Sequence, residues 1–130
     1  TFMPAENHNI PYQIQLSADG FYIKGTIFTD ITNEVIIKYR KEMVKLSRQK
    51  RIYKQMTDVS RVKSRQYSFE MYELAYHKID RIKELVPFKI AIIVSPGDDS
   101  HQFIETLYIN LGAEAKIFDK ETKAIDWLIS

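Results

Sequence analysis

The first part of the chain alternates hydrophobic and polar residues, as a half-buried β-strand requires. Tyr12, Ile14 and Leu16 are separated by glutamines, so one face of this segment is apolar and the other is polar. A Ser-Ala-Asp-Gly turn follows, in which Gly20 is free to adopt a positive φ angle. Residues 21–28 read as a second strand. The two segments together predict an antiparallel hairpin at the start of the fold.

The pattern then changes to helical spacing. A polar stretch around Thr32 is suited to begin a helix. After it, apolar residues recur three and four positions apart through about Ser47. They are Val35, Ile36, Tyr39, Met43 and Leu46. A second helix is predicted to open at Ser68, with acidic residues in its first turns, and to end before Pro87. A third spans residues 103–111 and ends at Gly112.

Three further strands separate these helices. Residues 51–57 and Ala115–Phe118 are short, and Ile90–Val94 is continuously apolar, which is typical of a strand covered on both faces. A last helix follows Asp119 as its cap, with Ala124, Ile125 and Leu128 facing inward. The order ββαβαβαβα predicts an α/β fold with a mixed, mostly parallel five-stranded sheet and four helices, the first strand lying at an edge. We expect residues 1–10 to form a flexible tail and residues 11–130 a single domain.

The composition excludes several classes of chemistry. The chain has no cysteine, so disulfides, thiolate catalysis, Cys-ligated zinc and iron–sulfur clusters are ruled out. No apolar run approaches the roughly 18–20 residues that span a bilayer, and the first residues lack a signal-peptide pattern. We therefore expect a cytoplasmic protein without a transmembrane segment.

Charge is unevenly distributed although the net charge is only +2. The stretch from Lys38 to Arg65 holds 11 basic residues against Glu42 and Asp58, a local charge of +9, and the remainder carries −7. Such asymmetry indicates an anionic partner, or simply a solvated helix face and loop. Tyr39, Tyr53 and Tyr67 interleave with the cations, but the first two fall at core or sheet positions, which argues against nucleic acid.

Catalytic and metal-binding motifs are missing from the sequence. The glycines are too far apart for a dinucleotide fingerprint or a P-loop. Residues 95–100 lie at a strand-to-helix junction, but Asp98 and Asp99 would repel an anion there, so a capping loop is the better interpretation. Ser100 and His101 are neighbours, and adjacent helical residues point about 100° apart. The sequence therefore predicts no enzyme activity, no metal site and no cofactor.

Several segments in order resemble the STAS superfamily, and the later part resembles its SpoIIAA-like branch. The segments are Met56–Ser68, Ile90–Val94, Asp98–Thr106, Gly112–Asp119 and Ala124–Leu128. The resemblance covers about residues 12–129. It implies a sheet with helices packed mainly on one side, and a domain that binds partner proteins and has no enzyme activity.

The resemblance also implies a switch site. Regulatory STAS domains are phosphorylated on a serine at a loop-to-helix junction, in a pattern like Asp-Leu-Ser-x-Val-x-x-x-Asp-Ser-Ser-Gly. Asp58, Ser60 and Val62 match its early positions, and Ser68 falls on the phosphorylated serine. Gln66, Tyr67 and Phe69 replace its Asp, Ser and Gly, so Ser68 is either a phosphosite or an ordinary helix cap.

Two hypotheses follow for the function. In the first, the loops after strands two to four, from Asp30, Asp58–Tyr67 and Pro96–Ser100, form a contact edge for a protein partner. The partner-binding residues there are Asp58, Ser60, Arg61, Lys63 and Arg65, whose cations would steer an acidic partner. In the second, Phe69, Tyr72, Tyr76 and Tyr108 line a cavity that carries a small apolar or lipid-like ligand. A homodimer through helix or sheet-edge surface is compatible with both.

Overall fold

The computed structural model describes residues 10–64 and 87–130, which form five strands and three helices. The strands are β1 (Tyr12–Leu16), β2 (Ile23–Ile27), β3 (Lys54–Asp58), β4 (Lys89–Ile93) and β5 (Glu114–Phe118). The helices are α1 (Asn33–Lys50), α2 (Gln102–Asn110) and α3 (Glu121–Ile129). The predicted helix that opens at Ser68 and the tail residues 1–9 lie outside the described residues. No described helix combines the length and apolar character that a membrane span needs.

The strands form one five-stranded sheet in the order β1-β2-β3-β4-β5. β1 and β2 pair antiparallel, with Tyr12 opposite Ile27, and every other neighbouring pair is parallel. This confirms the predicted mixed, mostly parallel α/β sheet with the first strand at an edge. Because β2, β3 and β4 are parallel, the loops that follow them all leave from the same edge of the sheet.

The two faces of the sheet are covered by different helices. On one face, residues of α1 and α2 such as Ile36 and Leu107 share a buried cluster with Ile90 and Ile92 of β4. On the other face, α3 packs against Ala91 and other strand residues. β4 therefore contributes alternate residues to two apolar layers, which is why its sequence does not alternate with polar positions.

Tyr39 of α1 packs tightly over Gly25 of β2. A Cβ atom at residue 25 would overlap the phenol ring and hydroxyl of Tyr39. That hydroxyl is buried and lies 2.7 Å from the Oγ1 atom of Thr57 in β3, so the ring is fixed in position. Only glycine leaves room for the ring at this place on β2.

The far edge strand, β5, is partly protected against pairing with another chain. Glu105 of α2 accepts a hydrogen bond through Oε2 from the backbone N–H of Ile117, at 3.1 Å. An edge-strand donor that is already bonded within the chain is not available to a second copy. This contact disfavours a homodimer that adds a strand at β5.

Three boundaries differ from the sequence prediction. α1 continues past Ser47 to Lys50 and ends at Arg51, whose left-handed φ of 58° lets its backbone N–H bond back to Ser47, so β3 begins only at Lys54. The cap of α3 is Lys120 rather than Asp119, because the carbonyl of Lys120 accepts the N–H of Ala124 at 3.2 Å. α2 likewise begins after His101 and has no side-chain cap.

Candidate functional site

The loops that follow β2, β3 and β4 converge at the carboxyl edge of the sheet, as predicted. The N–H of Ile31 donates to the carbonyl of Lys63 at 3.0 Å, which joins the first loop to the second. The hydroxyl of Ser95 donates to the carbonyl of Ser60 at 2.9 Å, which joins the third loop to the second. We refer to residues 28–31, 58–64 and 95–101 as the loop edge. Arg65, Gln66, Tyr67 and Ser68 lie outside the described residues.

Two loop-edge carboxylates, those of Asp58 and Asp30, accept hydrogen bonds from other residues of the loop edge. The Oδ1 atom of Asp58 accepts bonds from the backbone N–H and the hydroxyl of Ser60, at 3.0 and 2.7 Å. Asp30 accepts the backbone N–H of Lys63 at 3.2 Å. These are the turn-forming bonds that Asp makes to nearby backbone donors. Asp58 and Ser60, both predicted to bind a partner, are therefore bonded to each other.

A third carboxylate, that of Asp98, is turned into the protein, with 5% of its side chain exposed. Its Oδ1 atom accepts the backbone N–H of Ser100 at 2.9 Å, and its Oδ2 atom lies 3.3 Å from Nζ of Lys63 and 3.4 Å from Nε2 of His101. Burial raises the pKa of this carboxyl. The hydrogen bonds from Ser100 and the ammonium of Lys63 lower the pKa by more than burial raises it, so the resulting pKa is about 2. Asp98 is therefore ionised at neutral pH and does not repel anions as a free surface charge would.

Ser64 and His101 form a buried contact that the sequence does not indicate. The Nδ1 atom of His101 lies 2.6 Å from the hydroxyl of Ser64, and its Nε2 atom lies 3.1 Å from the carbonyl of Val62. A carbonyl only accepts, so Nε2 carries the proton and Nδ1 accepts the Ser64 hydroxyl. Burial lowers the pKa of His101, in agreement with a neutral ring. One imidazole therefore braces the start of α2 against the loop after β3.

This pair has the chemistry of a serine–histidine dyad but not its exposure. Ser64 is 6% exposed and His101 is fully buried. A nucleophile must reach its substrate, so the arrangement acts as an internal brace in the described structure. In the two described ranges, no group of three or more potential ligand residues is placed to hold a metal ion.

The side chains of Arg61 and Lys63, the two described cations of the loop edge, are exposed. The side chain of Lys63 is 57% exposed, although its Nζ atom approaches Asp98. The guanidinium of Arg61 lies 5.7 Å from the ring centre of Phe28, a half-exposed residue just past the end of β2. Beside Phe28 is a depression of about 450 Å³, lined within the described residues also by Ile10, Tyr12 and Gln13. The loop edge thus presents cations next to apolar surface.

The residues proposed to line a ligand cavity are only partly described. Phe69, Tyr72 and Tyr76 lie outside the described residues. Tyr108 of α2 is buried, with 2% of its surface exposed, and its ring lies 5.0 Å below the guanidinium of Arg40 from α1. Tyr108 therefore belongs to the core between the two helices.

Comparison with known proteins supports the fold and leaves the site unassigned. The chain matches no family model and no curated protein sequence. Its structure is similar to that of an uncharacterised protein of the DUF3478 family with a SpoIIAA-like fold, from Shewanella loihica PV-4. The similarity covers 90% of this chain and 91% of that one, with 21% identity and a TM-score of 0.54. The predicted SpoIIAA-like fold is confirmed, and an identity this low shows the fold alone.

Proposed function

We propose that this protein is a non-catalytic regulatory or binding domain that recognises an acidic segment of a partner protein through the loop edge. One observation carries the proposal: three of the four aspartates of the loop edge, Asp30, Asp58 and Asp98, are bonded within the protein, while the side chains of Arg61 and Lys63 stay exposed. The sequence alone does not suggest a positive edge, because four aspartates, Asp30, Asp58, Asp98 and Asp99, accompany these cations. The internal bonds reduce the negative charge that Asp30, Asp58 and Asp98 present to an approaching molecule, which leaves Asp99 as the exposed carboxylate beside the exposed cations.

The apolar surface beside the cations favours a protein partner over nucleic acid. Single-stranded nucleic acid binds on several exposed aromatic rings, but Tyr39 is buried and Tyr53 packs against Phe88, with ring centres 5.3 Å apart. In the described loop edge this leaves Phe28 as the one exposed aromatic ring. The depression beside Phe28 has room for an apolar side chain of a peptide. An acidic segment with one apolar anchor fits this combination of cations and apolar surface.

Reversing the charges of Arg61, Lys63 and Arg65 to glutamate is expected to weaken partner capture at least tenfold at low salt. Loss of favourable long-range attraction should also flatten the salt dependence of binding. The measurement is quantitative mass spectrometry of proteins that wild-type and variant beads retain from the native cell lysate, at about 50 and 200 mM salt. Binding of the partners so identified is then measured with purified protein.

A triple variant on α1 provides the matched control. Lys38, Lys41 and Lys45 are exposed, and their reversal to glutamate changes the net charge by the same amount. This variant should keep the wild-type partners and most of their affinity. Equal losses in the two variants would show a general charge effect, and unchanged capture by the loop-edge variant would refute the proposed contact surface.

Phosphorylation of Ser68 would be the regulatory step of this proposal. Arg61 and Lys63 precede Ser68 in the sequence, and a phosphate there would have basic groups within a few residues to bond it. We propose that the modification lowers the positive charge of the loop edge and releases an acidic partner. Intact-mass measurement of the protein from its native cell across growth conditions tests this step, and the absence of phosphate in all of them would contradict it.

A further inference from the structure

A second feature lies away from the loop edge, between α1 and α2. The guanidinium of Arg40 is buried, with 3% of the residue exposed. Within the described residues, none of its three nitrogen atoms has a hydrogen-bond acceptor. The ring of Tyr108 lies below it, with 5.0 Å between the guanidinium carbon and the ring centre.

A buried guanidinium in this situation requires a negative group. Burial lowers the pKa of Arg40, yet an arginine side chain remains protonated in proteins. The contact with Tyr108 offsets only part of the lost hydration, because a ring face supplies neither a formal charge nor a hydrogen-bond acceptor for the N–H groups. Buried charges are normally paired, and leaving one without a counter-charge is strongly destabilising.

We propose that Arg40 binds the carboxylate of a small, mostly apolar acid between α1 and α2. A carboxylate matches the planar fork of a guanidinium with two parallel hydrogen bonds. A single cation is balanced by a single negative charge, whereas a phosphate dianion would leave one buried charge in excess. Ile36, Ile37 and Val44 lie one turn away from Arg40 on the same helix and belong to or pack on the apolar core. The body of the ligand must therefore be apolar.

The site goes beyond the proposed function and does not depend on it. Arg40 lies in the helix layer, whereas partner binding is assigned to the carboxyl edge of the sheet. The loop-edge charge reversals should leave binding of the acid unchanged. Failure of either proposal therefore leaves the other standing.

Octanoate is a suitable probe, and octan-1-ol is its uncharged counterpart. The full chain is first checked by native mass spectrometry to carry no added mass, and thermal unfolding is then followed at neutral pH. Octanoate should raise the Tm of the wild type saturably, by roughly 5 °C or more when in large excess over its Kd. Octan-1-ol should raise it much less. Arg40→Met should abolish the octanoate shift, and Lys38→Met, which removes an exposed cation from the same helix, should retain it.

Three results would overturn the proposal. The first is an absent octanoate shift in the wild type, and the second is a shift of equal size in Arg40→Met. The third concerns the ligand-free proteins: Arg40→Met should be at least as stable as the wild type, because it removes an unpaired buried charge. A marked fall in its Tm would show that the chain itself supplies the counter-charge.

Discussion

Gly25→Ala is expected to lower the free energy of unfolding by about 3 kcal/mol or more, which is large for the addition of one methyl group. The new Cβ atom would overlap the Tyr39 ring, and the ring has little freedom to move, because it is buried and its hydroxyl is bonded to Thr57. Relief requires α1 to shift away from the sheet, which opens the core on that face. Urea unfolding followed by circular dichroism measures the loss.

Two further variants identify the cause. Thr26→Ala changes the next residue of the same strand, whose side chain points to the opposite face, and it should cost no more than about 1 kcal/mol. In a Tyr39→Leu background, which removes the overlapping atoms, Gly25→Ala should cost much less than in the wild type. An equal cost in both backgrounds would show that the overlap with Tyr39 does not determine the effect.

Much of the fold follows from local pattern. Tyr12–Leu16 alternates and forms β1 with the predicted bounds, and Gly112, with a φ of 99°, ends the α2 region as predicted. The predicted start of β3 is wrong because α1 runs three residues further than predicted. The last turn of α1 is basic, which is favourable at the C-terminal end of the helix dipole. The need for glycine at residue 25 could not be read from the sequence, since it arises from a ring on another element.

The candidate site was predicted less completely than the fold. Parallel strands bring their following loops together, so the position of the loop edge followed from the order of elements. The pairing of His101 did not, because its partner Ser64 is 37 residues away, whereas the sequence drew attention to the adjacent Ser100. The sequence counts Arg40 only as one of the 11 basic residues from Lys38 to Arg65, and its burial against Tyr108 of α2 is visible only in the structure. The assignment of Asp58, Ser60, Arg61 and Lys63 to partner contact stays a prediction.

His101→Leu is expected to lower the free energy of unfolding by about 2–3 kcal/mol at neutral pH. Leucine fills a similar volume but leaves the Val62 carbonyl and the Ser64 hydroxyl buried without this partner. The three loops of the loop edge would also lose the brace between α2 and the loop after β3. The same chemical denaturation assay measures the loss, and Ser64→Ala, which removes one of the two bonds, should cost less.

The pH dependence of stability distinguishes a neutral His101 from an imidazolium paired with Asp98. Because burial lowers the pKa of His101 in the folded state, the unfolded chain binds the proton more readily. Stability should therefore be complete above about pH 6.5 and fall as the pH drops through the lower, folded-state pKa. The stability that depends on the ionised Asp98 carboxyl is lost only at more acidic pH. That loss occurs as the pH falls from the ordinary pKa of 3.8 toward the folded-state pKa of about 2. The wild type should thus lose stability as the pH falls below about 6.5, before Asp98 titrates, and His101→Leu should not.

The two other histidines provide the control for this assignment. His8→Gln and His77→Gln should retain the wild-type loss of stability below about pH 6.5, which assigns the loss to His101. If the wild type instead gained stability in this range, the folded-state pKa of His101 would be raised, and Asp98 would hold a charged ring. A charged ring donates from both nitrogens, so Ser64 would have to accept rather than donate. The sign of the pH slope therefore decides which proton arrangement holds the loop edge together.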